Sequence, residues 1–146
     1  MKKLFLISVF IVNLLSVHAQ SSEVYKTDDG AIQGYDPVAY FKSGMAAKGD
    51  KQFSYVWSDA EWHFTNKENF DEFKANPLKY APQYGGYCAY GTAGGHKAPT
   101  QPTAWTIVDG RLFLNYNDDV KTMWNKDRKV FIEKADKNWP TVKKSE

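Results

Sequence analysis

The chain has 146 residues, 42% hydrophobic and 16% aromatic, with a formal charge of +2; that length holds one ordinary domain and little more. The charge excludes a dedicated polyanion binder, because the only small basic clusters are Lys126-Asp127-Arg128-Lys129 and Lys143-Lys144 and counterion release needs more. A single cysteine, Cys88, excludes an intrachain disulfide, so stability must come from a packed core, for which five Trp, nine Tyr and nine Phe supply the material.

Lys2 and Lys3 precede an apolar run over residues 4–15, too short to cross a bilayer. Val17-x-Ala19 then supplies a small-residue cleavage pattern, so residues 1–19 are expected to be a secretory signal peptide. Export to a periplasm or to the outside of the cell follows, with no stable membrane anchor after cleavage. Losing this segment removes two lysines and leaves the basic residues equal in number to the 17 acidic ones, so nucleic acid is not an expected partner.

Residues 20–31 are polar around Asp28-Asp29-Gly30 and read as a flexible lead-in. The domain proper is expected over residues 32–140, with a charged tail over 141–146. Asp36-Pro37 predicts a helix start, Asp36 capping free N–H groups and Pro37 filling the first helical position. Residues 53–57 and 61–65 alternate with period two around Ser58-Asp59-Ala60, which predicts a hairpin with Trp62 and Phe64 on one face and His63 on the other. Thr65-Asn66-Lys67-Glu68 fits a capping box for a helix carrying Phe70 and Phe73, which Asn76-Pro77 ends before one more short turn over 77–80. Residues 91–102 form a glycine- and proline-containing loop with His96. Asp109-Gly110 predicts a type I′ hairpin pairing Ile107 with Leu112 and Trp105 with Leu114. Helices are expected over 118–125 and 127–138, with Pro140 closing the fold. The result is a compact α+β domain, two β-hairpins in a small antiparallel sheet packed against several short helices.

Cys88 is the least ordinary residue. It reads as a buried small hydrophobe, a metal ligand or a nucleophile; in the first turn of a helix opening after Gly85-Gly86, its pKa would fall. Beyond the leader only His63 and His96 remain, so four-ligand zinc sites cannot be built. Cys88, His96 and His63, with Met45 and Met123, make a soft set that suits copper, although taken singly His63 reads as an exposed strand residue and His96 as a loop residue. Asp36 reads as a cap before an acid, and no P-loop, G-x-S-x-G or H-E-x-x-H motif is present, so no catalytic residue is assigned. The aromatic residues from 84 to 105 suggest another class, a small-molecule or glycan binder. Its candidate surface comprises Tyr35, Asp36, Tyr84, Gly85, Gly86, Tyr87 and Trp105, with Tyr90 beside them. A thiol-dependent enzyme using Cys88 with His96 is the third class.

Gly34-Tyr35-Asp36-Pro37-Val38-Ala39-Tyr40-Phe41, Trp62-x-Phe64, Asn76-Pro77-x-x-Tyr80-Ala81-Pro82-Gln83-Tyr84-Gly85-Gly86-Tyr87-Cys88-Ala89, Trp105-x-Ile107-x-Asp109-Gly110-x-Leu112-x-Leu114-Asn115-Tyr116 and Trp139-Pro140 occur in that order. Together they resemble exported bacterial YHS-domain proteins over about residues 32–140. The resemblance implies a small α+β module related to metal-binding, cysteine-rich domains. Metal binding in that wider group is associated with cysteines, of which Cys88 alone carries over; the hairpin bearing Trp62 and Phe64 has none. The leading expectation is therefore an exported binding module for a soft transition metal, copper, held by Cys88 with His96 and His63.

Overall fold

Both predicted hairpins form with two-residue turns. The computed structural model describes residues 21–146; the expected signal peptide over 1–19 lies outside the described residues. β3 (Asp50–Trp57) pairs antiparallel with β4 (Ala60–Phe64), and Ser58 and Asp59 between them take φ of 52° and 57°. β5 (Trp105–Val108) pairs with β6 (Arg111–Leu114) across Asp109 and Gly110, φ 51° and 74°. Two successive positive φ values are the type I′ signature, whose twist suits a hairpin. The register matches the expected one, Ile107 opposite Leu112 and Trp105 opposite Leu114.

The α+β class is as expected, but the hairpins do not share a sheet. Among the described residues three separate two-stranded sheets form, the third from β1 (Lys26–Thr27) and β2 (Gly30–Ala31). Side chains rather than shared strand edges join the pieces. β6 shows how: successive residues point to opposite faces, so Leu112 and Leu114 enter one aromatic cluster with Trp62, Phe64 and Phe73, while Phe113 enters a second with Tyr84 and Trp124.

Short helices close the two clusters. α1 (Pro37–Lys42) starts at Asp36, whose carboxylate accepts from the N–H groups of Val38 and Ala39 at 2.8 and 3.2 Å, with Pro37 at the first position. α2 (Lys67–Ala75) sets Phe73 into the first core, and α3 (Pro77–Tyr80) adds Tyr80. The cap of α2 is Asn66, one residue beyond the expected Thr65, because the Thr65 hydroxyl is engaged by Asp36 at 2.9 Å. α4 (Ala89–Ala93), α5 (Asp118–Asn125) and α6 (Arg128–Val142) surround the second cluster.

Both ends depart from expectation. Residues 21–31 are built into the domain: Val24 is 3% and Ala31 0% exposed, and the Tyr25 N–H donates to the Gly85 carbonyl at 2.9 Å. The polar composition concealed one apolar anchor and a backbone pairing. At the other end α6 continues through Pro140 to Val142, although Pro140 has no N–H to donate to the Asp136 carbonyl, and Val142, inside the expected charged tail, is buried. The Lys97 ammonium ties the ends together, its Nζ lying 2.7–3.2 Å from Ser21 Oγ, Ser22 O, Lys143 O and Ser145 O, which share its three N–H groups.

Candidate functional site

A run of left-handed backbone aims Cys88. Tyr84, Gly85 and Gly86 have φ of 56°, 62° and 83°, a conformation an L side chain such as that of Tyr84 adopts only under constraint. At Gly85 the constraint is steric as well, since a Cβ would sit 1.8 Å from the Glu23 carbonyl oxygen. The chain leaves this turn so that Cys88 caps α4: its Sγ accepts the Gly91 N–H at 3.4 Å and donates to Asn115 Oδ1 at 3.6 Å.

Cys88 is only 2% exposed. Burial pushes its thiol pKa up, and although the N–H groups of Gly91, Tyr116 and Tyr90 pull the other way, burial prevails. The depressed pKa expected of a thiol in a first helical turn is absent for that reason, which removes the main support for the enzyme reading. Asn115 completes the surroundings of the thiol. It is fully buried, its Oδ1 also accepts the Tyr90 N–H at 3.1 Å, and its Nδ2 has no partner.

His96 joins Cys88 through one glycine. The His96 N–H donates to the Gly91 carbonyl at 3.1 Å, and a Cβ on Gly91 would meet His96 Nε2 at 3.4 Å. The loop then turns back, the Ala98 carbonyl accepting the Cys88 N–H at 3.0 Å. The imidazole therefore lies on the residue whose N–H holds the sulfur, and it is exposed.

His63 does not belong to this arrangement, and it is not the exposed strand residue its pattern suggested. It is 3% exposed and its Nε2 lies 2.7 Å from Glu61 Oε1. The second face of β4 is covered by Gly30, Gly34 and Gly49, where an added Cβ would touch His63 atoms at 2.4–3.4 Å. Hairpin faces are exposed only when nothing crosses them, and here distant backbone does. Met45 and Met123 are 57% and 42% exposed. Among the described residues no group of three or more His, Cys, Asp or Glu can hold a metal ion, so the expected three-residue ligand set is not assembled.

Nor do the expected aromatic residues make one platform. Tyr84 is 4% exposed and its hydroxyl donates to Asp136 Oδ1 at 2.9 Å. Tyr87 packs on Tyr25 and Trp139, Tyr90 on Phe131, and Trp105 on Tyr40. Tyr35 lies under the Lys48 ammonium, 5.5 Å from the ring centroid. Asp36 is fully buried and its acceptor capacity is taken: besides the α1 N–H groups it accepts from Thr65 N, Thr65 Oγ1 and Asn69 Nδ2 at 2.7–2.9 Å. Gly85 and Gly86 serve close backbone approach, to Glu23 and to the Ile32 side chain. The rings are split between clusters because each served the nearest core. Asn115 escaped the sequence reading, since an Asn following a strand carries no local mark of a partner 27 residues away.

No helix among the described residues is long and apolar enough to cross a membrane. No family model, curated protein or solved structure matches the chain.

Proposed function

We propose that this chain is an exported, single-domain binding module that takes one soft transition-metal ion, copper(I), with the Cys88 thiolate as principal ligand and the His96 imidazole as second. The observation that carries the reading is the convergence on Gly91: its N–H holds Cys88 Sγ, and its bare Cα lets the His96 ring lie against it. The YHS resemblance supports it, because Cys88 is the residue that carries over.

The residues fit a soft ion better than a hard one. Thiolate and imidazole select copper over magnesium or calcium, and two protein donors fall short of a closed tetrahedral zinc site. Each residue has a separable task. Cys88 gives up its proton, and the N–H groups of Gly91, Tyr116 and Tyr90 offset the charge left on sulfur in a buried place. His96, exposed on its loop, meets the ion from solvent. His63 is outside the ligand set, held by Glu61.

The test is a copper(I) competition titration of the protein under reducing conditions, beside Cys88→Ser and His96→Ala. One equivalent is expected to bind, with affinity rising with pH because the thiol proton is displaced. Cys88→Ser should abolish tight binding, and His96→Ala should weaken it by about tenfold, roughly 1.4 kcal/mol. Unchanged affinity in Cys88→Ser would sink the reading.

A further inference from the structure

A concavity of about 340 Å³ lies between the Glu23–Val24 segment, the β3–β4 turn, α3, the Ala81–Gly85 run and α6. Trp57 and Trp139 line it from opposite cores. Both indoles are half-buried and firmly backed. Trp57 packs on Trp62 and edge-on to Phe73 at 6.0 and 5.8 Å, and Trp139 packs on Tyr84 and Tyr87 at 6.0 and 6.4 Å. Leu78 stands in the lining with 78% of its surface exposed, more than any other large hydrophobic residue among those described.

Polar groups in the same lining narrow the ligand class. The Gln83 carbonyl is held by Arg111 Nε and Nη2 at 3.1 and 2.9 Å, which leaves its NH₂ group to donate. Glu23 offers a carboxylate, and Ser58 a hydroxyl on a turn held at φ 52°. A wholly apolar ligand would bury these groups without partners, at their full desolvation cost. An anion would face Glu23. A cation gains little either, because the Lys143 ammonium stands 3.8 Å from that carboxylate. A neutral ring with an apolar face and hydroxyls on its rim satisfies both kinds of lining.

We propose that this cleft binds a neutral sugar, its C–H face against Trp57 or Trp139 and its hydroxyls on Glu23, Gln83 and Ser58. The volume lies at the small end of ligand pockets, which fits one or two pyranose rings. None of these residues belongs to the copper reading, so either proposal can fail alone.

The test follows the indole N–H signals of metal-free ¹⁵N-labelled protein by NMR during titration with glucose, galactose, mannose, N-acetylglucosamine and their disaccharides. Saturable shifts of Trp57 and Trp139 are expected with at least one sugar, while Trp124, fully buried in the second core, stays still. Gln83→Glu, which keeps an acceptor for Arg111 and loses the NH₂ donor, and Glu23→Gln should each weaken that binding by about tenfold with an unchanged melting profile. No indole shift at about 50 mM of any of these sugars, far above a millimolar dissociation constant, would overturn the proposal. So would binding that both variants leave intact.

Discussion

Phe73 and Cys88 are both almost fully buried, at 0% and 2% exposure, but what surrounds them differs in kind. Phe73 meets the rings of Tyr55, Trp57, Trp62 and Phe64 at centroid distances of 5.1–6.4 Å. Those partners are side chains on one hairpin, delivered by period-two alternation. Cys88 meets backbone N–H groups and one buried amide, delivered by an irregular chain path through Tyr84, Gly85 and Gly86. The first environment is held by apolar area. The second is held by geometry, and its stability is spread over hydrogen bonds that each contribute little net.

The largest effect that sharpens this contrast is Phe73→Ala, which should lose about 3–5 kcal/mol of unfolding free energy, read from urea denaturation with m unchanged. A loss below about 1 kcal/mol would show that the ring cluster is not what holds the hairpin to α2.

Asp36→Ala comes next, because Asp36 is the one Asp, Glu, Lys or Arg fully buried among the described residues and it serves both strand and helix. Removing the carboxylate orphans N–H groups of Val38, Ala39 and Thr65, and the expected loss is about 1–3 kcal/mol. Asp36→Asn, which keeps one acceptor oxygen, should lose less; an equal loss in both would mean that the charge, not the cap, is what matters there.

The same contrast accounts for what a reader of the sequence can and cannot see. Trp62-x-Phe64, Asp109-Gly110 and Asp36-Pro37 are local patterns with local causes, and each predicts its hairpin, register or helix start. Val24 in a polar stretch and His63 beneath Gly30, Gly34 and Gly49 depend on chain that arrives from elsewhere. The candidate site was legible as residue types, Cys88 and His96, but not as an arrangement. Its defining contacts come from backbone groups of Gly91, Ala98 and Tyr116 and from the distant Asn115 amide, and backbone groups leave no signature in side-chain identity.

The smallest predicted effect is the one that separates the two modes of burial most cleanly. If Cys88 acted as an apolar residue like Phe73, Cys88→Ala would be milder than Cys88→Ser. As the cap of α4, with Sγ accepting from Gly91, it predicts the opposite: Cys88→Ser retains an acceptor and stays close to wild type, while Cys88→Ala loses about 1 kcal/mol. A pH series adds an independent reading. Because burial raises the thiol pKa in the folded state, the folded protein binds the proton more tightly than the unfolded chain does. The associated stability is therefore complete below the unfolded value of about 8.5 and declines as pH rises through the higher folded pKa. Cys88→Ser should flatten that alkaline decline, and alkylation of the native thiol should show a midpoint above about 8.5. A midpoint below it would mean that the three N–H groups prevail over burial, reversing the balance on which the contrast with Phe73 rests.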